Sequence, residues 1–126
     1  MTGTRLGRAE AVLGVAIGGF VGANLRYLVE IVVPSSLVAT AVVNVVGSFA
    51  LALIVYEAEF SGRLTAASRR VLATGLLSSF TTYSTFVVDA LTATPALGAG
   101  YVVGSYALGF VGVLGGRALA RAGGEH

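Results

Sequence analysis

The chain has 126 residues, 56% of them apolar and 11% charged, with a net charge of +2 and a mean hydropathy of +0.88. Too few charges are available to clothe a soluble domain of this size, so water is the wrong solvent for it. Cysteine is absent and the one histidine, His126, is the last residue, which excludes thiolate metal sites, histidine clusters and a serine–histidine relay.

A hydrocarbon core about 30 Å thick needs roughly 20 mostly apolar residues per helix. Four segments qualify, near residues 11–33, 37–56, 71–92 and 96–119, and predict an all-α membrane protein with a single four-helix domain spanning 1–126. The first follows Arg5 and Arg8, a pattern shared with cleaved leaders. Three further spans, and the Gly and Arg residues inside this one, argue that it stays. Gly14, Gly18 and Gly22 recur every four residues and form a face for close helix packing. Arg26 lies toward its far end.

Pro34-Ser35-Ser36 separates the first two spans, and the second carries Thr40, Asn44 and Ser48 as a polar stripe on one face. Asn44 alone would be explained by an interhelical hydrogen bond. A charged run over residues 57–70 leads to the third span. There Ser78-Ser79-Phe80-Thr81-Thr82-Tyr83-Ser84-Thr85 places seven hydroxyls in eight residues near mid-membrane depth. Ser and Thr side chains compete with the helical ladder for backbone partners, so the third helix is expected to break near its centre. Irregular backbone at that depth is tolerated only where it is buried in protein or lines a wet cavity. Thr94-Pro95 opens the fourth span, which repeats the glycine device at Gly100, Gly104, Gly112 and Gly116 and sets Tyr101 and Ser105 on one face.

All eight basic residues are arginine. With four spans, Arg5, Arg8, Arg63, Arg69, Arg70, Arg117 and Arg121 share the side of the two termini, which the positive-inside rule makes cytoplasmic. No basic stripe interleaved with aromatics points to nucleic acid, and no nucleophile can be paired with a base, so an enzyme is not expected. No carboxylate sits at mid-membrane, since Glu30 and Asp89 lie toward segment ends. The polar lining offers donors instead: hydroxyls, the Asn44 amide, and the positive edges of Tyr83 and Phe86, which share a helix face. That chemistry suits a small hydrated anion.

Three blocks carry a resemblance: Gly18-Gly19-Phe20-Val21-Gly22-Ala23-Asn24-Leu25-Arg26-Tyr27, Val43-Asn44-Val45-Val46-Gly47-Ser48-Phe49 and Thr81-Thr82-Tyr83-Ser84-Thr85-Phe86. In this order and spacing they resemble the Fluc (CrcB-type) fluoride channel family over nearly the whole chain. The resemblance implies a passive fluoride channel of a bacterial inner (plasma) membrane, exporting fluoride from the cytoplasm to relieve its toxicity. It also implies an antiparallel, dual-topology dimer with two pores. Asn44 would be the pore amide, Tyr83 and Phe86 the aromatic anion contacts, and Ser84 and Thr85 a hydroxyl track continued by Tyr101 and Ser105. Arg26 would sit near an aqueous vestibule. A structural Na+ would be held by the backbone carbonyls of Ser78 and Thr81. The family usually has two glycines where this chain has Ser78-Ser79, a phenylalanine where it has Tyr83, and a glutamate where it has Asp89.

An antiparallel homodimer needs one sequence to insert both ways in similar numbers, which seven arginines on one side oppose. Pairing with a related subunit of opposite orientation is therefore expected. The other readings are a small four-helix multidrug exporter, which would need a carboxylate where the first span has Gly18 and Gly22, and a non-transporting membrane scaffold.

Overall fold

The computed structural model describes residues 2–125; Met1 and His126 lie outside the described residues. Helix α1 runs from Thr2 to Val32 and α2 from Ser36 to Phe60. The third span, Ala66–Thr92, is built in pieces: α3 over Ala66–Arg69, a π-helical segment over Arg70–Leu77, α4 over Ser78–Phe80 and α5 over Ser84–Thr92. Helix α6 covers Pro95–Gly124. All four spans are long and apolar enough to cross a membrane.

Polar residues between the apolar runs fix where the helices start. Ser35 caps α2 by accepting a hydrogen bond from the Val38 amide at 3.4 Å, Thr65 caps α3 from the Ser68 amide at 3.1 Å, and Thr94 caps α6 from the Leu97 amide at 3.4 Å. Pro95 follows Thr94 in the first turn of α6, where its missing N–H costs no helical bond.

Packing runs through glycine. A Cβ on Gly18 would stand 2.5 Å from the Val71 carbonyl and 3.0 Å from the Leu76 amide nitrogen, and one on Gly22 would collide with the Leu76 carbonyl. Gly75 answers from the other side, where an added Cβ would stand 3.2 Å from the Gly18 Cα and 2.8 Å from the Val15 carbonyl. Helix α1 thus lies backbone to backbone on the π-helical segment. On the opposite flank α6 closes on α2 through Gly112 and Gly116, the latter with an added Cβ 3.0 Å from Ala52 Cβ.

The expected small-residue face at Gly100 and Gly104 behaves differently, since added Cβ atoms there meet nothing within 4 Å. The glycine that packs in this half of α6 is Gly98, where an added Cβ would stand 2.5 Å from the Ala90 carbonyl. At about 100° per residue, positions 98 and 100 lie roughly 200° apart around the helix, so Gly100 and Gly104 look outward.

Between the two flanks Val43, Leu77 and Phe80 form a small buried cluster. Most other large apolar side chains point outward, Leu91 at 80% exposure and Phe20 at 72% among them. A chain that buries so little of its apolar surface internally leaves it for lipid or for another chain.

The turn between α2 and the third span is tied by one carboxylate. Glu57 accepts hydrogen bonds from the Arg63 amide, the Leu64 amide at 3.1 Å and the Ser61 hydroxyl at 3.1 Å, and its second oxygen lies 3.4 Å from Arg69 Nη2. Glu57→Ala releases all four groups. Faster amide hydrogen exchange is expected at Arg63 and Leu64, with the helix interiors unchanged.

Candidate functional site

The third span stops being helical where its hydroxyls concentrate. Thr81 is extended at φ −82°, ψ 162°, and helical structure resumes at Ser84. Side chains upstream take backbone acceptors of the preceding turn: Ser78 Oγ donates to the Thr74 carbonyl, and Thr81 Oγ1 to the Leu77 carbonyl at 3.0 Å. These bonds compete with the ladder.

The non-helical residues are held from α2. Asn44 Nδ2 donates to the Thr82 carbonyl at 2.8 Å, and Asn44 Oδ1 accepts from the Thr82 amide at 2.8 Å. One side-chain amide thereby satisfies both backbone groups of Thr82, as a neighbouring strand would. The pairing also fixes which way the amide is turned, because only the oxygen can accept and only the nitrogen can donate. The Thr82 hydroxyl then accepts from the Thr85 amide at 3.3 Å and caps the start of α5. In an unbroken helix the Thr82 amide would serve the Ser78 carbonyl, so the Asn44 bond leaves that carbonyl without its helical donor.

A cavity of about 540 Å³ borders this segment. Of the residues singled out in the sequence, Asn44, Ser48, Ser78, Thr81, Tyr83, Phe86 and Ser105 line it. Thr82, Tyr106 and Phe110 line it too and were not singled out. Thr82 was visible in the hydroxyl run. Tyr106 and Phe110 were not, because the apolar run of α6 gives no sign of which face borders the cavity, where the two remain 55% and 68% exposed.

Phe86 is buried at the centre of an aromatic cluster. Its ring centroid lies 6.1 Å from Tyr83, 5.3 Å from Tyr101 and 6.1 Å from Tyr106, the last edge-on. Tyr83 itself is 73% exposed, on the open side of the cavity. Ser84, Thr85 and Tyr101 do not line the cavity. Tyr101 packs against Phe86 instead, with its buried hydroxyl on the side of Thr40 and Asp89. The Asp89 carboxylate accepts from Ser36 Oγ at 2.9 and 3.0 Å and from Thr40 Oγ1 at 3.1 Å. Arg26 lies outside the cavity lining, 3.6 Å from Glu30 on the next turn of α1.

The cavity is therefore walled by apolar rings and small uncharged polar side chains, the hydroxyl hydrogens of Ser48, Ser78 and Thr81 being spent on backbone carbonyls, and no charged side chain lines it among the described residues. Asn44 uses one of its two N–H groups on Thr82 and keeps the other. A lining of this kind can replace part of an anion's hydration shell without holding it by fixed charge.

These features define a small multi-pass membrane protein whose third span presents uncharged polar backbone and polar side chains to a cavity. The chain belongs to the CrcB family: the profile described as "CrcB-like protein, Camphor Resistance (CrcB)" matches residues 13–117. It is similar to a Haloarcula marismortui protein named "Fluoride-specific ion channel FluC 1", with 50% identity over 112 residues, covering 89% of this chain and 87% of the relative. A Natronomonas pharaonis protein of the same name is 48% identical over 115 residues, covering 90% and 97%. A Halobacterium salinarum protein named "Fluoride-specific ion channel FluC 2" is 48% identical over 113 residues, covering 89% and 88%.

Proposed function

We propose that this chain is a subunit of a passive fluoride channel that lets fluoride leave the cytoplasm. The observation that carries the reading is the Asn44–Thr82 clasp, which holds a donor-rich, non-helical stretch of the third span against a cavity, in a chain half identical to a protein named as a fluoride-specific channel. Fluoride gives up part of its water to the free Asn44 N–H and to the positive ring edges of Tyr83 and Phe86. Ser84, Thr85, Ser105 and Tyr101 supply hydroxyls for its onward passage, and Arg26 attracts it from an aqueous vestibule. The drug-exporter reading fails on α1, where Gly18 and Gly22 are closed against the third span and leave no room for a carboxylate.

The working unit is an antiparallel dimer, in which a second chain closes the open side of the cavity at Tyr83. Both termini lie in the cytoplasm, and the one-sided arginines make a paralogous, oppositely inserted subunit the partner. Relatives numbered 1 and 2 in their names are in keeping with paired genes.

The Ser78 and Thr81 carbonyls fit a structural Na+, since the first has lost its helical donor to Asn44 and the second lies in extended backbone. Serine at position 78 carries no strain there, with φ at −64°. Bound Na+ would supply positive charge at the break.

The test is a fluoride electrode outside liposomes loaded with potassium fluoride and given a potassium ionophore. Co-expressed with an oppositely biased paralogue, the chain releases fluoride within seconds without a proton gradient. Release that requires a proton gradient would refute the channel reading. Full release by the lone chain, with its terminal reporters split evenly across the membrane, would refute the paralogous pairing alone.

A further inference from the structure

The last turns of α6 carry a second concavity, which shares no lining residue with the cavity at the break. It measures about 250 Å³ and is lined by Leu114, Arg117, Ala118, Arg121, Ala122 and Glu125. We infer that this groove is a binding site for the phosphodiester headgroup of an anionic phospholipid, with Arg117 and Arg121 as its ligands. The inference rests on the membrane-spanning fold and not on what the channel conducts.

Depth is the first argument. Helix α6 has 30 residues, roughly 45 Å of helix against a hydrocarbon core of about 30 Å, so its final turns reach the headgroup layer. Aromatic residues of α2 mark the same level. Tyr56 and Phe60 stack at 6.1 Å, the Arg117 guanidinium stands 5.5 Å over the Tyr56 ring, and Gly124 packs on Phe60. Tyrosine favours the interface between hydrocarbon and water, and a cation held over its ring is positioned in advance.

Charge is the second. The groove holds two guanidinium groups and one carboxylate, a net +1 that matches one phosphodiester. Arg121 Nε lies 3.7 Å from Glu125 Oε1, but the two side chains are 65% and 68% exposed. Such a surface pair contributes little, so Arg121 is free to turn to a phosphate, which it can bind through two parallel hydrogen bonds.

The apolar wall decides between a lipid and a free phosphate ion. Leu114 lines the groove and is 64% exposed, and Val111, one turn further into the membrane on the same face, is 63% exposed. A free ion has no use for that strip. An acyl chain attached to the bound headgroup lies along it.

The test uses the full chain, alone or with its partner subunit, purified from mixed phosphatidylglycerol and phosphatidylcholine, with native mass spectrometry reading the retained lipid. Wild type is expected to retain phosphatidylglycerol over phosphatidylcholine by roughly thirtyfold, the scale set by two basic side chains at a membrane surface. Arg117→Gln with Arg121→Gln brings the ratio close to one with only the small loss of thermal stability that the Tyr56 contact accounts for, while Arg117→Lys with Arg121→Lys keeps most of it. Equal retention of both lipids by wild type, or an undiminished preference in the double glutamine variant, would overturn the site. So would displacement of phosphatidylglycerol by millimolar inorganic phosphate, which would make it a free-anion site.

Discussion

Asn44→Ala is expected to abolish fluoride release and to lower thermal stability in the same protein. The alanine leaves the Thr82 N–H and C=O without partners, in a stretch where Thr81 is extended and the helical ladder is interrupted. Each orphaned buried group costs about 1–3 kcal/mol, so the two together amount to roughly 2–4 kcal/mol once partial access to water is allowed for. Asn44→Asp separates the two bonds. Its carboxylate still accepts from the Thr82 amide but repels the Thr82 carbonyl and sets a negative charge on the proposed anion path. A smaller loss of stability with a complete loss of conduction is expected. Circular dichroism melting in detergent and the liposome efflux assay, run on the same preparations, give the two readouts. Wild-type efflux from the alanine variant would remove Asn44 from the pathway.

The sequence made much of this legible because the cost of a polar group in hydrocarbon leaves a clear signature. Four apolar runs bounded by Pro34-Ser35-Ser36, the charged turn and Thr94-Pro95 could be counted without coordinates, and the stops became helix caps. The hydroxyl run marked where helical hydrogen bonding would be contested. What the pattern could not show was the partner across the gap. That the Asn44 amide serves both backbone groups of Thr82 depends on α2 and the third span meeting in one register, and hydropathy does not encode register.

The π-helical segment was invisible for a related reason. Its residues, Arg-Val-Leu-Ala-Thr-Gly-Leu-Leu, suit an ordinary helix. The widened turn is a matter of fit against α1, where Gly75 sits on the backbone of Val15 and Gly18. Likewise, small-xxx-small spacing identified Gly100 and Gly104 as a packing face but could not say that nothing in the same chain packs there.

That distinction yields a graded series of glycine substitutions. An alanine at Gly22 places its Cβ on the Leu76 carbonyl, and one at Gly18 stands 2.5 Å from the Val71 carbonyl. Backbone cannot step aside without moving the whole π-helical segment, so α1 must tilt away. Overpacking of this kind costs about 1–3 kcal/mol, with Gly22→Ala at or above the upper end. At Gly14 the added methyl meets only the Val71 Cγ2 methyl at 2.9 Å, which can rotate, so Gly14→Ala is expected to be mild. Gly100→Ala and Gly104→Ala meet open space within the chain and should leave the isolated subunit as stable as wild type. Detergent melting temperatures should then rank Gly22→Ala lowest, followed by Gly18→Ala and Gly14→Ala, with Gly100→Ala level with wild type. Dimer formation reads the rest. If the second subunit closes on the outward face of α6, Gly100→Ala and Gly104→Ala weaken subunit association in membranes while the single chain stays intact. Unchanged association would place the dimer contact elsewhere and leave those glycines facing lipid.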